Sequence, residues 1–341
     1  SYIKIMTDTG FPNEYGYTPR HDGKWDDGGY RLVTGSQYPG PLELNEQHVR
    51  VEGLQVEQTT AYNDGANGIE ISASGGEIRI SYCVIKYTGD ATAGDGIAGI
   101  SLSSANDNTI YKIWNNIVYD FKSGIKQVEV DPGSNFLIYN NIVVDPGYRG
   151  IYFGGYPASA ATVRLKNNLV QGSNTNYYIS LGSNVVKEYV DNLAEDTTSP
   201  NNEHDSKTVI FVDEANNDFH LASTDTNATD QGTDLSSDGN LSFTDDIDGE
   251  TRTGTWDIGA DEYVGIVGDT CTYTSGNWII GCSDYCNITS NTDVGANSII
   301  ISGSGYFNIQ ANITTARFAY TPGCAILNFP NDGKELRVKG G

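Results

Sequence analysis

Basic residues are scarce in this sequence, methionine is nearly absent, and long apolar runs are missing altogether. Twenty Lys and Arg face 44 Asp and Glu, a formal charge of −24, which argues against nucleic acid or an anionic membrane as the main partner. No stretch of 18 consecutive apolar residues occurs, so nothing reads as a membrane-spanning helix. One Met in 341 residues, with no sustained 3.6-residue apolar periodicity, argues against a helical protein and excludes a βαβ sheet. The four histidines, His21, His48, His204 and His220, lie far apart and match no triad or metal spacing. A Gly-rich phosphate loop is absent too, because the region around Gly65 and Gly68 lacks a following helix. No signal peptide is present, and the start at Ser1 reads as a processed mature end or an excised fragment.

What the sequence does contain is a recurring phrase between Val49 and Leu193. It runs Val51-Glu52-Gly53-Leu54, Tyr82-Cys83-Val84-Ile85, Trp114-Asn115-Asn116-Ile117-Val118, Tyr139-Asn140-Asn141-Ile142-Val143, Lys166-Asn167-Asn168-Leu169-Val170 and Val190-Asp191-Asn192-Leu193. Aligning Gly53, Cys83, Asn116, Asn141, Asn168 and Asn192 gives spacings of 30, 33, 25, 27 and 24 residues. Such a period with strand-forming units predicts a solenoid. Forty glycines and many Asn supply turns, while Val, Ile and Tyr supply strands. Each period carries at least two short strands, and equivalent strands should stack in parallel about 4.8 Å apart, wound right-handed.

An inward amide at a turn is satisfied only when it bonds the turn backbone and the amide of the next coil. Asn116, Asn141, Asn168 and Asn192 are therefore expected to form a structural ladder, ended by Gly53 and Cys83. Ile117, Ile142 and Leu169 are expected to fill the coil interior.

These features resemble the right-handed parallel β-helix of the pectate-lyase-like superfamily, with its asparagine ladder. The stretch Asp218-Phe219-His220-Leu221, Asp246-Ile247-Asp248-Gly249, Arg252 and Trp256-Asp257-Ile258-Gly259-Ala260-Asp261-Glu262 is similar to the closing segment of secreted bacterial β-helix repeat proteins, which typically ends in Asp-Ile-Gly-Ala. The likeness covers about residues 41–263. It implies an all-β right-handed parallel β-helix, and a family that holds polysaccharide lyases and hydrolases beside adhesins, tailspikes and non-catalytic surface proteins. Membership alone does not imply an enzyme.

The expected organisation is an N-terminal cap and strand region (1–40), a parallel β-helix with an acidic closing segment (41–264), and a smaller Cys-containing β module (265–341) that resembles the start of a second solenoid. Its end at Gly340-Gly341 shows no obvious cap, so the chain either continues or is covered by a partner. Cys271, Cys282, Cys286 and Cys324 cluster in this module. An even set in one module predicts two disulfides in an oxidising, extracellular setting. Three pairings are open. Zinc ranks lower, since the 282–286 spacing is not repeated by the other pair and no His lies nearby. Whether Cys83 is a free thiol stays open.

Residues 195–262 hold 18 acidic side chains against two basic ones. Solvated acidic turns explain most of this. A structural Ca²⁺ held by Asp245, Asp246, Asp248 and Asp257 is the sharper alternative, although an EF-hand register would place Thr244 first and Thr255 last. No cofactor is otherwise required. For lyase chemistry, Lys86, Lys122, Lys126 and Arg149 are candidate bases, and Asp90, Asp95, Asp120 and Asp145 candidate metal ligands. A hydrolase would draw on Asp120, Glu129, Asp131 or Asp145. These are scattered in sequence. Tyr148, Tyr152, Tyr156 and Tyr178 are expected to offer flat rings to sugars, with about half of the wider group around Phe153 and Tyr177 packing inward by strand alternation. Asn227, Asn240, Asn287 and Asn312 head Asn-x-Ser/Thr sequons, about as many as chance gives.

The reading favoured by sequence is a non-catalytic extracellular structural protein, a cell-surface or filament subunit that self-assembles through solenoid ends and terminal strands. A glycan-binding adhesin or tailspike follows, then a polysaccharide lyase or glycoside hydrolase.

Overall fold

Short alternating strands separated by Gly and Asn turns wind into coils. The computed structural model describes residues 2–7, 20–36, 39–61, 65–89, 96–102, 108–154, 160–263, 271–281, 286–302, 305–320, 324–327 and 336–338. They belong to two compact units, Ser1–Tyr263 and Val264–Gly341.

In the first unit three parallel sheets run the length of a β-helix. Sheet A stacks Ile3–Met6, Val49–Glu52, Glu77–Ser81, Ile110–Trp114, Asn135–Tyr139, Thr162–Lys166 and Val186–Val190. Sheet B stacks Arg31–Thr34, Gln55–Gln58, Val84–Tyr87, Ile117–Tyr119, Ile142–Val144, Leu169–Gln171 and Leu193–Ala194. Sheet C stacks Leu42–Leu44, Ile69–Ile71, Ala98–Leu102, Ser123–Gln127, Arg149–Phe153 and Thr175–Ile179. Residues 1–44 thus supply the first strand of every sheet.

The corner between sheets A and B carries the ladder. Asn116 Nδ2 donates to Asn141 Oδ1 at 2.9 Å, Asn141 to Asn168 at 3.0 Å, and Asn168 to Asn192 at 2.9 Å. Each Oδ1 also accepts a backbone N–H from the preceding coil, starting with Cys83 N at 3.0 Å. Every amide is fully buried, and the stack is what keeps it satisfied.

Two sequence expectations need correcting. Glu52 pairs with Ser81 and Gln55 with Val84, so Leu54, not Gly53, stands at the ladder position beside Cys83. Gly53 instead occupies the preceding place, where φ is +70°, and is equivalent to Tyr82 and Asn115. The interior assignment is also off by one. Val118, Val143 and Val170 line the coil interior, while Ile117, Ile142 and Leu169 belong to a separate outer core. Because the ladder Asn points inward, the next residue on the strand must point outward.

What covers that outer face is the acidic segment. Residues 195–263 do not simply close the last coil; they run back along the flank as a strap. Val209, Phe211, Phe219, Leu241, Phe243, Ile247, Trp256 and Ile258 pack on Trp114, Ile117, Tyr119, Tyr139, Ile142 and Leu169. The first Asn of each Asn-Asn pair holds it. Asn115, Asn140 and Asn167 sit at positive φ (50°, 47°, 53°), a conformation Asn tolerates better than most residues, and this turns their amides outward. Asn115 Nδ2 donates to Asp245 O at 2.7 Å, Asn140 Nδ2 to Gly259 O at 3.0 Å, and Asn167 Nδ2 to Thr233 O at 2.8 Å. The dipeptide therefore serves two cores, one amide facing each way.

The second unit is another parallel stack, of three sheets with three strands each. These are Trp278–Gly281, Ser298–Ser302 and Arg317–Tyr320; Asn287–Ile288, Gly305–Ile309 and Cys324–Leu327; and Thr292–Asp293, Ile313–Thr315 and Leu336–Val338. Trp278, Ile280, Ile299, Ile301, Ile309 and Ile313 form its core. Cys271 and Cys286 are joined by a disulfide with Cα atoms 5.1 Å apart. Cys282 lies outside the described residues, and of Cys324 only the strand is described. One of the two expected bridges is thus seen. Cys83 is a free, buried thiol.

Candidate functional site

Most strap acids are occupied with backbone. Asp246 accepts the N–H groups of Gly249, Glu250 and Glu262, and Asp257 those of Asp230 and Tyr263. Asp245 Oδ1 accepts the Tyr82 hydroxyl at 2.7 Å. Burial raises the Asp257 carboxyl to about 7, with the Glu262 charge adding to it. Buried Arg252 donates to the carbonyls of Gly259 (3.0 Å) and Ala260 (2.8 Å) and pairs with Glu262 at 3.2 Å. Of the four candidate calcium ligands, Asp245, Asp246 and Asp257 are thus bonded to different protein groups, while Asp248 lies beside Asp246 and His220. Among the described residues, the groups of three that could share one cation are His220, Asp248 and Asp261, and Asp191, Glu203 and His204. Neither histidine stands at a metal spacing in the sequence; bonds within the strap, Leu221 N–H to Asp261 Oδ2 at 2.6 Å and Ile247 N–H to Ala260 O at 2.9 Å, bring the first group together.

The candidate sugar-contact residues converge on the outer face of sheet C. Strand alternation puts Ile151 and Phe153 inside and Tyr152 outside, and parallel register sets Tyr152 beside Tyr178. Their rings meet edge to face, centroids 5.3 Å apart. Arg149 lies among them, its guanidinium 4.0 Å from the Tyr178 ring and 4.4 Å from those of Tyr148 and Tyr152. Its Nη2 also donates to the Tyr148 hydroxyl at 3.0 Å. Tyr178 is the most open ring, at 39 % exposure. Lys126 pairs with Tyr152 one coil earlier. Tyr177 packs inward and donates its hydroxyl to Asn168 O at 2.7 Å. Tyr156 lies outside the described residues. Arg149, the residue that gathers the rings, stands in the sequence only as a candidate base, since nothing local links it to Tyr178 one period on.

A third arrangement is a column of carboxylates where sheet B ends. Asp120 and Asp145 follow equivalent strands on consecutive coils, both at positive φ. Desolvation first, then the charge of Asp145, pushes Asp120 up to about 6, and Asp145 and Glu214 are raised in the same way. A carboxyl raised by burial and by a neighbouring carboxylate is the kind of group that serves as the acid in glycoside hydrolysis. Of the other candidates, Lys86 lies 3.9 Å over the Trp25 ring and 3.7 Å from Glu57, Lys122 lies along Gly147, Asp131 is buried beside Gln127, and Glu129 is exposed. Asp90 and Asp95 lie outside the described residues. Asn240, Asn287 and Asn312 are exposed, whereas Asn227 is half-buried and donates to Thr208 O at 2.7 Å.

Comparison with family models, with curated proteins and with solved structures returns no match. Among the described residues no helix is long and apolar enough to cross a membrane.

Proposed function

We propose that this chain is a non-catalytic extracellular solenoid protein that binds glycans, with the Arg149–tyrosine platform on sheet C as its contact surface. The observation that carries this reading is the convergence of Tyr148, Tyr152 and Tyr178 on one guanidinium. Tyrosine rings stack on the apolar faces of sugars, and a guanidinium offers several fixed donors to hydroxyls or carboxylates. Arg149 and Lys126 place two cations at the tyrosine end of this face, whose same outer column begins with Glu43 and Glu70 at the other end. The disulfide of the second unit fits an oxidising compartment, and the likeness to secreted members of the pectate-lyase-like superfamily points the same way.

A second reading, a cell-surface or filament subunit that self-assembles through solenoid ends, is favoured by the outer strands. Ile3 and Val186 are 51 % and 58 % exposed, and they belong to the first and last strands of sheet A. Such edges accept further strands.

The test is glycan-array binding, then calorimetry on hits, with wild type and the Arg149→Ala/Tyr178→Ala double variant. Binding lost in the folded variant supports the platform. Undiminished binding would remove it, ordered filaments by negative stain without glycan binding would favour assembly, and sugar turnover would point to the carboxylate column instead.

A further inference from the structure

The His220 group lies where four stretches of chain meet. Asp218 and His220 alternate along the strand Asp218–Leu221, so both side chains leave the same side. Asp248 comes from the turn before Gly249, Asp261 follows the Asp-Ile-Gly-Ala motif, and the segment from Arg20 to Lys24 closes the other side. His220 Nδ1 is bonded to Asp218 Oδ1 at 2.6 Å, and Asp218 Oδ2 pairs with Lys24 at 3.1 Å. That bond orients the ring and directs Nε2 towards Asp248 Oδ2, 3.6 Å away. The separation is beyond a hydrogen bond. It suits two ligands on one ion, since bonds of about 2.0–2.2 Å at tetrahedral angles place donor atoms roughly 3.3–3.6 Å apart. One ligand atom from each of His220, Asp248 and Asp261 lies within 4.8 Å of the other two, and Asp261 Oδ2 accepts the Leu221 N–H at 2.6 Å.

Asp248 Oδ1 is buried and receives no N–H or hydroxyl hydrogen bond; the carboxyl beside it is Asp246, whose proton, favoured by burial and by the Asp248 charge, bonds to Asp248. A further observation points to a ligand here. Beside the ring, residue 23 is a glycine at φ +81°, and a Cβ there would lie 2.4 Å from His220 Nε2, so the space in front of that nitrogen is kept clear. Asp246 adds a further buried carboxyl next to Asp248.

We propose that His220 Nε2, Asp248 and Asp261 bind one divalent cation of the first transition row, Zn²⁺ in kind, with Asp218 as the carboxylate that orients the imidazole. An imidazole nitrogen with two carboxylates suits such an ion better than Ca²⁺, which takes six to eight oxygens. Binding exchanges the Nε2 proton for the metal. The ion fastens the strap beside the segment that carries Gly23.

The full chain, stripped with chelator and dialysed, is titrated with Zn²⁺ and, separately, Ca²⁺, following bound metal and melting temperature. One equivalent of Zn²⁺ that raises the melting temperature is expected, lost in His220→Gln and retained in His204→Gln. Asp218→Asn should weaken it about 10–100-fold without abolishing it. X-ray absorption at the zinc edge of wild-type protein, which needs no variant to fold, should show one imidazole with oxygen donors. Sulfur donors would place the metal on cysteines and overturn the proposal. So would retention of the equivalent in His220→Gln, its loss in His204→Gln, stabilisation by Ca²⁺ alone, or no binding.

Discussion

Gly259 rests on Ile142 with no room between them: a Cβ at residue 259 would lie 2.9 Å from Ile142 Cγ1. Its N–H reaches Asn167 O at 2.8 Å, and its φ is +113°. The Asp-Ile-Gly-Ala motif is therefore a contact motif, with the glycine set by the outer face of sheet B. Gly259→Ala should destabilise the first unit by about 1–3 kcal/mol through overpacking, together with backbone strain. Chemical denaturation of the variant measures this; an unchanged midpoint would mean the strap does not bear on Ile142.

The two amides of one Asn pair should behave differently on substitution. Asn141→Ala removes a ladder rung and strands its neighbours, at about 1–3 kcal/mol, and should lower global stability. Asn140→Ala removes the outward bonds to Asp257 O and Gly259 O. Faster hydrogen exchange confined to residues 228–260 is expected, with the interior strands protected as before. Equal exchange patterns in the two variants would contradict the division of labour.

Stability should fall as pH rises from about 4 to 7. Asp257, raised to about 7, and Asp120, raised to about 6, hold protons in the fold that the unfolded chain has released, so folding loses stability through that window. On the acid side, burial works against Glu77, but its bonds to Arg79, Lys112 and Tyr2 prevail and lower it to about 2. Its contribution is lost as pH falls below about 4. Melting temperatures in chelator should therefore peak near pH 4–5, and Asp257→Asn should flatten the neutral limb. A steady rise to pH 8 would refute this.

Burial pushes the Cys83 thiol up to about 12. It should resist alkylation in native protein and react only on unfolding, as peptide mass spectrometry after brief iodoacetamide treatment would show.

Reducing Cys271–Cys286 should cost about 2–4 kcal/mol and be felt in residues 271–338 alone. Limited proteolysis with and without reductant checks it; accelerated cleavage within 108–263 would contradict the separation into two units.

The Asn-Asn-Ile/Leu-Val phrase made the coils legible, because an amide at a fixed turn position and alternating β-branched residues each carry a local rule. It was least legible where it is degenerate. At Val51-Glu52-Gly53-Leu54 no amide marks the register, so sequence alone does not separate the glycine needed for positive φ from the ladder place. The face of Ile117 is not legible in the sequence because sheet B is apolar on both sides, a pattern from which alternation gives no direction. The strap's path is non-local: Asp-Ile-Gly-Ala carries a family likeness but nothing in it names Ile142 as its partner. The same holds for His220, whose neighbours Gly23, Asp248 and Asp261 become neighbours only when the strap doubles back. Tyr152 and Tyr178 stand out in the sequence as part of an aromatic group, and parallel stacking one period apart sets them side by side.

A bare solenoid can fray coil by coil from either end, since each coil touches only its neighbours. Here Asn115, Asn140, Asn167 and Asp191, on four successive coils, are all bonded to one later segment. Peeling any one coil must first lift that segment from the others. The first unit should therefore resist end-on pulling up to a single sharp rupture, where an unstrapped stack would give way in small, evenly spaced steps.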